Sequence, residues 1–246
     1  MKTNAILSVA LMAVSGLSWA SDDICQPKSY EMALRYQQQS AEIKAIQLQT
    51  YHLATERLHT LLKQSDQKPQ ELAVVLDLDE TVLDNTPLLV RDMENCVDYT
   101  TWDTWSDWEI KGHPTLIPGA KAFIDQANRL GLNIYYVSDR FNENKSYTIE
   151  TLKALGIPQA EKSHVLLYGK TKEQRRQSVA ARHKIVMLLG DSLPDFAAGF
   201  KNKQDTDYNR NLVEKNKAHL GVDWFVLPNA SYGAWKKAPL NSWSEK

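Results

Sequence analysis

Two cysteines, Cys25 and Cys96, are all that this 246-residue chain contains, so its thiols can make at most one pairing. The histidines are equally uninformative. His52, His59, His113, His164, His183 and His219 show no metal-ligand spacing, and all six read as structural. Charge is nearly balanced at 29 basic and 30 acidic residues, formally −1, which gives no footing for nucleic-acid or membrane-surface binding. The apolar stretch from Ala5 to Val14 is too short to span a membrane. Internal repeats and low-complexity tracts are lacking too.

What stands at the start is an early positive charge (Lys2), that short apolar stretch and a small-residue ending, Ser18-Trp19-Ala20, before the polar Ser21-Asp22-Asp23. This is the pattern of a secretory signal peptide over 1–20, with cleavage expected after Ala20 and a periplasmic or secreted destination. Cleavage removes one cation (29 − 1 = 28) and no acid, leaving 28 basic against 30 acidic residues, formally −2. An oxidising compartment would permit a Cys25–Cys96 bridge, with two separate thiols as the alternative. Residues 21–246 suit one large α/β domain with an inserted or appended cap.

Tyr30 to about Lys63 holds no proline or glycine and is rich in helix formers, so it reads as one long helix or two in succession, too polar for a buried core. Pro69 breaks the segment, and Leu72-Ala73-Val74-Val75-Leu76 follows as a short apolar run fit for a buried parallel strand. Similar runs stand at Leu132–Val137, Val165–Tyr168, Ile185–Leu189 and Asp223–Leu227, with helical stretches between the earlier ones. That alternation predicts a doubly wound parallel sheet of right-handed crossovers. Asn85 to about Pro118 lacks clear strand character and reads as an excursion over one edge of the sheet. With 27–66, the stretch 86–118 is expected to form a small, mainly helical cap.

Open parallel sheets bind ligands at the carboxyl ends of their strands, so the residues just after each run matter most. The first is followed by Asp77-Leu78-Asp79-Glu80-Thr81. One carboxylate there can attack phosphorus, and a second two residues on can protonate the leaving oxygen and later deprotonate water. An anionic nucleophile meeting an anionic phosphate needs cations, and Mg2+ held by Asp77, the Asp79 carbonyl oxygen and Asp191 would answer that need. Asp195, four residues on, would orient waters or a ligand, or cap the turn after Pro194. Ser138 and the amides after it could hold phosphoryl oxygens. Lys172, with Arg175 one turn on, is the first choice for the neutralising lysine, and Lys170 is the alternative. Asp84 and Asn85 read as bracing the loop and stay outside the core site.

These elements, in this order, resemble the haloacid dehalogenase superfamily. Val74-Val-Leu-Asp-Leu-Asp-Glu-Thr-Val-Leu-Asp-Asn85 and Gly190-Asp-Ser-Leu-Pro-Asp-Phe196 resemble the paired four-aspartate signatures of class C bacterial acid phosphatases, the lipoprotein-e family. Ile117-Pro-Gly-Ala120, Val137-Ser-Asp-Arg140 and Leu227-Pro-Asn-Ala-Ser-Tyr-Gly-Ala-Trp235 are similar to further family segments. Leu88 stands where that family tends to have an aromatic, and Ser192 where it has Asn or Glu. The resemblance implies a magnesium-dependent acid phosphatase acting on phosphomonoesters, prominently nucleoside monophosphates as a 5′-nucleotidase would, and possession of a homodimeric form. It also implies base stacking by Tyr232 and one of Trp102, Trp105 or Trp108. Lipoprotein members carry a lipobox before an acylated cysteine, whereas Cys25 follows Asp22-Asp23-Ile24, so no lipid anchor is expected. Phosphotransfer to alcohols and non-catalytic nucleotide binding are the rival functions.

Overall fold

The computed structural model describes residues 25–201 and 205–243. The expected signal peptide, 1–20, lies outside them. Five parallel strands form the central sheet: β1 (Leu72–Leu76), β4 (Asn133–Val137), β5 (Val165–Leu166), β6 (Lys184–Gly190) and β7 (Trp224–Val226), in the order β5-β4-β1-β6-β7. β1 is central, and all five of its residues are buried, which is why it reads as an unbroken apolar run. A two-residue antiparallel ladder, β2 (Leu83–Asp84) with β3 (Thr115–Leu116), closes the base of the excursion. Strands so short carry no periodicity, so the sequence does not announce them.

Among the described residues eight α-helices complete the fold: α1 (Glu31–Gln39), α2 (Ala41–Gln64), α3 (Thr86–Glu94), α4 (Trp105–Lys111), α5 (Ala120–Arg129), α6 (Lys145–Ala154), α7 (Lys172–Ala180) and α8 (Thr206–Asn216). The long helical stretch divides at Ser40, which is extended (φ −75°, ψ 140°) and whose Oγ accepts from Ile43 N at 3.1 Å, an N-cap in mid-run. Its two halves go to different places. Tyr51, Ala54 and Leu58 of α2 pack with Phe123, Ile124 and Ala127 of α5 against Leu72, Val74 and Leu76, on one face of the sheet. Ala73, Val75, Tyr135 and Val137 point to the other face, onto Val179 of α7. That alternation is the two-residue period of a strand covered on both sides.

Leu34 of α1 instead joins Leu88, Leu89, Met93, Tyr99 and Trp105 in a separate apolar cluster under the excursion. Leu88 is fully buried there, so it faces this cluster and not a ligand. A disulfide between Cys25 and Cys96, with Cα atoms 5.4 Å apart, ties the segment before α1 to the end of α3. Their sequence separation is 71 residues, and closing a loop of that length stabilises a fold by about 4 kcal/mol in the chain-entropy account. Among the described residues no helix is long and apolar enough to cross a membrane.

Candidate active site

Strand register assembles the site. Leu76 lies level with Tyr136 on one side and Leu189 on the other, and Asp77 N donates to Leu189 O at 2.9 Å. The residues that follow, Asp77, Ser138 and Asp191, therefore leave the sheet along one edge. The chain order reverses beside β1, with β4 and β5 on one side and β6 and β7 on the other, so this is the switch point of the sheet.

Asp77, Asp191 and Asp195 each offer a carboxylate oxygen within 4.8 Å of the others. Lys172, on the first turn of α7, reaches in from behind. Its Nζ donates to Asp77 Oδ1 at 2.8 Å and to Asp195 Oδ1 at 2.5 Å, with all three side chains almost wholly buried. Lys170 is exposed and Lys172 buried, which separates the two lysines that the spacing left open. Burial works against the Lys172 charge, but the Asp195 and Asp77 carboxylates outweigh it and hold the ammonium above its ordinary value. Burial pushes the Asp77 carboxyl well up, Lys172 opposes this, and Asp195, Asp191 and Asp79 add to the rise. Asp191 is pushed up to about 6 by burial and then by Asp195, against a hydrogen bond from Asn229 Nδ2 at 2.8 Å.

One lysine, paired with Asp77 and Asp195, thus stands beside three clustered carboxylates, two buried and Asp191 half-buried, an excess of negative charge on hard oxygen donors that suits a divalent cation. Asp195 does more than orient neighbours: it is one of the three carboxylates, and its Oδ2 also accepts from Ser192 N at 3.0 Å. Gly190 makes room for it. A Cβ at position 190 would stand 2.4 Å from Asp195 Oδ2.

Asp79 belongs to a second network. Its Oδ2 accepts from Ser138 Oγ at 2.9 Å, and its Oδ1 from Arg140 Nε at 2.8 Å and Asn85 Nδ2 at 3.0 Å. Ser138, read as a phosphoryl-holding hydroxyl, is fully buried in this structure and engaged with Asp79. Arg140 and Asn85 were not among the sequence-derived site residues. Arg140 does stand two residues past Ser138, at a strand end, and that placement was the available signal. Asn85 gives none, because only tertiary contact shows what its amide touches. Arg175 braces the frame by donating to Ser138 O at 2.5 Å, to Leu166 O at 3.0 Å and to Asp139. Asp84 braces the turn into α3, its Oδ1 accepting from Thr86 N at 2.9 Å.

The three tryptophans part company. Trp102 lies outside α4 in a left-handed conformation (φ 71°) and is 44% exposed. Trp105 and Trp108, three apart on α4, share its inward side: Trp105 is buried, and the Trp108 indole donates to Asn85 Oδ1 at 2.8 Å. Tyr232 meets Trp102 and Trp105 edge-on, with centroids 5.2 and 5.9 Å away. Trp102 and the half-buried Tyr232 therefore carry the accessible part of this aromatic cluster. Glu109 of the same helix accepts from Phe141 N at 3.2 Å and Asn144 Nδ2 at 2.9 Å, and burial pushes its carboxyl up to about 7 against those bonds.

A buried lysine among three carboxylates, at the switch point of a parallel sheet and beside a further aspartate two residues past the first, is the arrangement of haloacid dehalogenase superfamily phosphatases. The chain belongs to subfamily IIIB of that superfamily, the acid phosphatases, whose family model matches residues 7–235. Two solved structures of the class C acid phosphatase from Bacillus anthracis agree. One, with tungstate bound, is 33% identical, with a TM-score of 0.81 over 87% of this chain and 90% of that one. The other is also 33% identical, with a TM-score of 0.80 over 87% and 89%. The molecule is an acid phosphatase, a phosphoric monoester hydrolase acting on small-molecule phosphate esters.

Proposed function

We propose that the enzyme hydrolyses nucleoside monophosphates, with magnesium, through an aspartyl-phosphate on Asp77. The observation that carries this reading is the pairing of Asp77 with Lys172 beside Asp191 and Asp195 at one strand edge. Asp77 Oδ attacks phosphorus, and the ester oxygen leaves with a proton from Asp79. Water then attacks the phosphorus, the Asp77–phosphorus bond breaks, and Asp79 takes the water proton. Lys172 holds charge beside the nucleophile and screens the incoming phosphate. Asp77 and Asp191, with Asp195 beside them, would hold the cation, as would the Asp79 carbonyl oxygen. When bound, it would supply charge neutralisation for phosphate and nucleophile together.

The exposed Trp102 face and Tyr232 favour an aromatic leaving group such as a nucleoside, since stacking tolerates any base. Tungstate bound by the Bacillus anthracis relative is a tetrahedral oxyanion like phosphate, which supports a phosphate-sized site here. Residues 1–20 would direct the chain to the periplasm or the medium. Phosphate release from a panel of nucleoside monophosphates, with magnesium or chelator, for wild type and Asp77→Asn, tests the reading. Metal-dependent release abolished by the substitution is expected, and full activity in Asp77→Asn would overturn the covalent route. Adding an alcohol and analysing products separates hydrolysis from phosphotransfer.

A further inference from the structure

We propose that Asn85 and Trp108 are positioning residues for Asp79, so that the seating of α4 sets how well Asp79 passes its proton to the leaving oxygen. This rests on the reading of Asp79 as general acid. Asn85 Oδ1 accepts from two groups that can only donate, the Trp108 indole N–H at 2.8 Å and Arg140 Nη2 at 3.0 Å. Those partners forbid the flipped amide, which would set N–H against N–H. The Asn85 Nδ2 group must then face acceptors, and it reaches Asp79 Oδ1 at 3.0 Å and Glu80 Oε1 at 3.2 Å. Arg140 Nε holds the same Asp79 oxygen at 2.8 Å, and Ser138 Oγ holds the other at 2.9 Å. The carboxyl plane is fixed at both oxygens, with Asn85 and Arg140 themselves buried.

Trp108 is the member of this network that α4 supplies. The next residue, Glu109, bonds Phe141 N and Asn144 Nδ2, pinning α4 to the loop that carries Arg140. Helix α4 also carries Trp105, which touches the Trp102–Tyr232 pair. A phenylalanine would fill the space of Trp108 but remove the shorter of the two bonds to Asn85 Oδ1, leaving Arg140 Nη2 alone to hold the amide. In the step concerned, Asp77 Oδ bonds to phosphorus, the ester P–O bond breaks with its electron pair on the leaving oxygen, and that oxygen takes the Asp79 proton. A good leaving group needs that proton little, and a poor one needs it fully.

The test is the dependence of kcat/KM on leaving-group pKa across substituted phenyl phosphates, which keeps the ring contacts constant. Trp108→Phe should lower kcat/KM on the order of tenfold for the poorest leaving group and by no more than about twofold for the best. Asn85→Ala should steepen the same plot further, and a melting temperature for Trp108→Phe close to wild type would confirm an intact fold. Equal losses along the series, or none, would overturn the proposal. Asp79→Asn is the control: if it leaves the slope unchanged, the general-acid reading itself fails. If it steepens the slope while Trp108→Phe does not, the positioning proposal alone fails.

Discussion

The carboxyl edge of the sheet and the 85–118 excursion meet at Asp79, yet different forces build them. At the edge, main-chain pairing sets position: parallel register puts Leu76 level with Leu189, Asp77 N bonds Leu189 O, and the site's side chains follow from where strands end. In the excursion, an apolar cluster, a disulfide and single side-chain hydrogen bonds set position, and helices α3 and α4 have only 9 and 7 residues. The edge is consequently over-determined, whereas the excursion depends on a few contacts. Chemistry belongs on the first, and selectivity can be tuned on the second at small cost to the fold.

That contrast can be broken hardest at the edge. Asp77→Asn should lower kcat by on the order of a thousandfold or more while the melting temperature holds or rises, because a buried, repelled carboxylate is replaced by a neutral isostere. Phosphate release and calorimetry on one preparation would check both halves, and a large fall in melting temperature would contradict the account of that charge. On the excursion side, replacing Cys25 and Cys96 together by serine should cost about 2–4 kcal/mol of stability, read by denaturant titration. Catalysis of a small alkyl phosphate at low temperature should survive. If kcat for that ester collapsed instead, the two regions would not be separable.

Glu109 offers a subtler probe of the seam between them. Burial pushes its folded carboxyl up to about 7 from an ordinary 4.5, so the unfolded chain loses this proton first as pH rises. The resulting stabilisation is complete below the lower value and is lost as pH passes the upper one, a fall of up to about 3 kcal/mol. Unfolding free energies across that window should fall less steeply in Glu109→Gln than in wild type. Identical slopes would show that the carboxyl is ionised throughout. The smallest effect is expected at Trp102→Ala, which should raise KM for nucleoside monophosphates roughly 5- to 30-fold, about 1–2 kcal/mol of lost binding, and leave glycerol phosphate nearly unchanged. Equal changes for both esters would remove base stacking from Trp102.

Much of the edge was legible in order: five apolar runs, and an aspartate, serine, lysine or second aspartate just beyond them, because a buried parallel strand must be apolar and its ligands must follow its end. The same reading could not choose between Lys170 and Lys172, since both precede or open one helix. The structure sets Lys172, and not the exposed Lys170, against Asp77 and Asp195. Nor could it divide the stretch from Tyr30 to Lys63 between two layers, because an N-cap such as Ser40 is a common residue whose role depends on what each half packs against.

By itself, then, the amino-acid sequence determined the sheet and the standing of its carboxylates at one edge, both of which depend on local periodicity and on residues adjacent in the chain. Only the tertiary structure decided the fate of Trp102, Trp105 and Trp108, the union of Cys25 with Cys96, and the Asn85–Arg140 brace around Asp79. Each of these joins residues that no spacing relates, through directional bonds and packing that exist only once the excursion has folded back over the sheet.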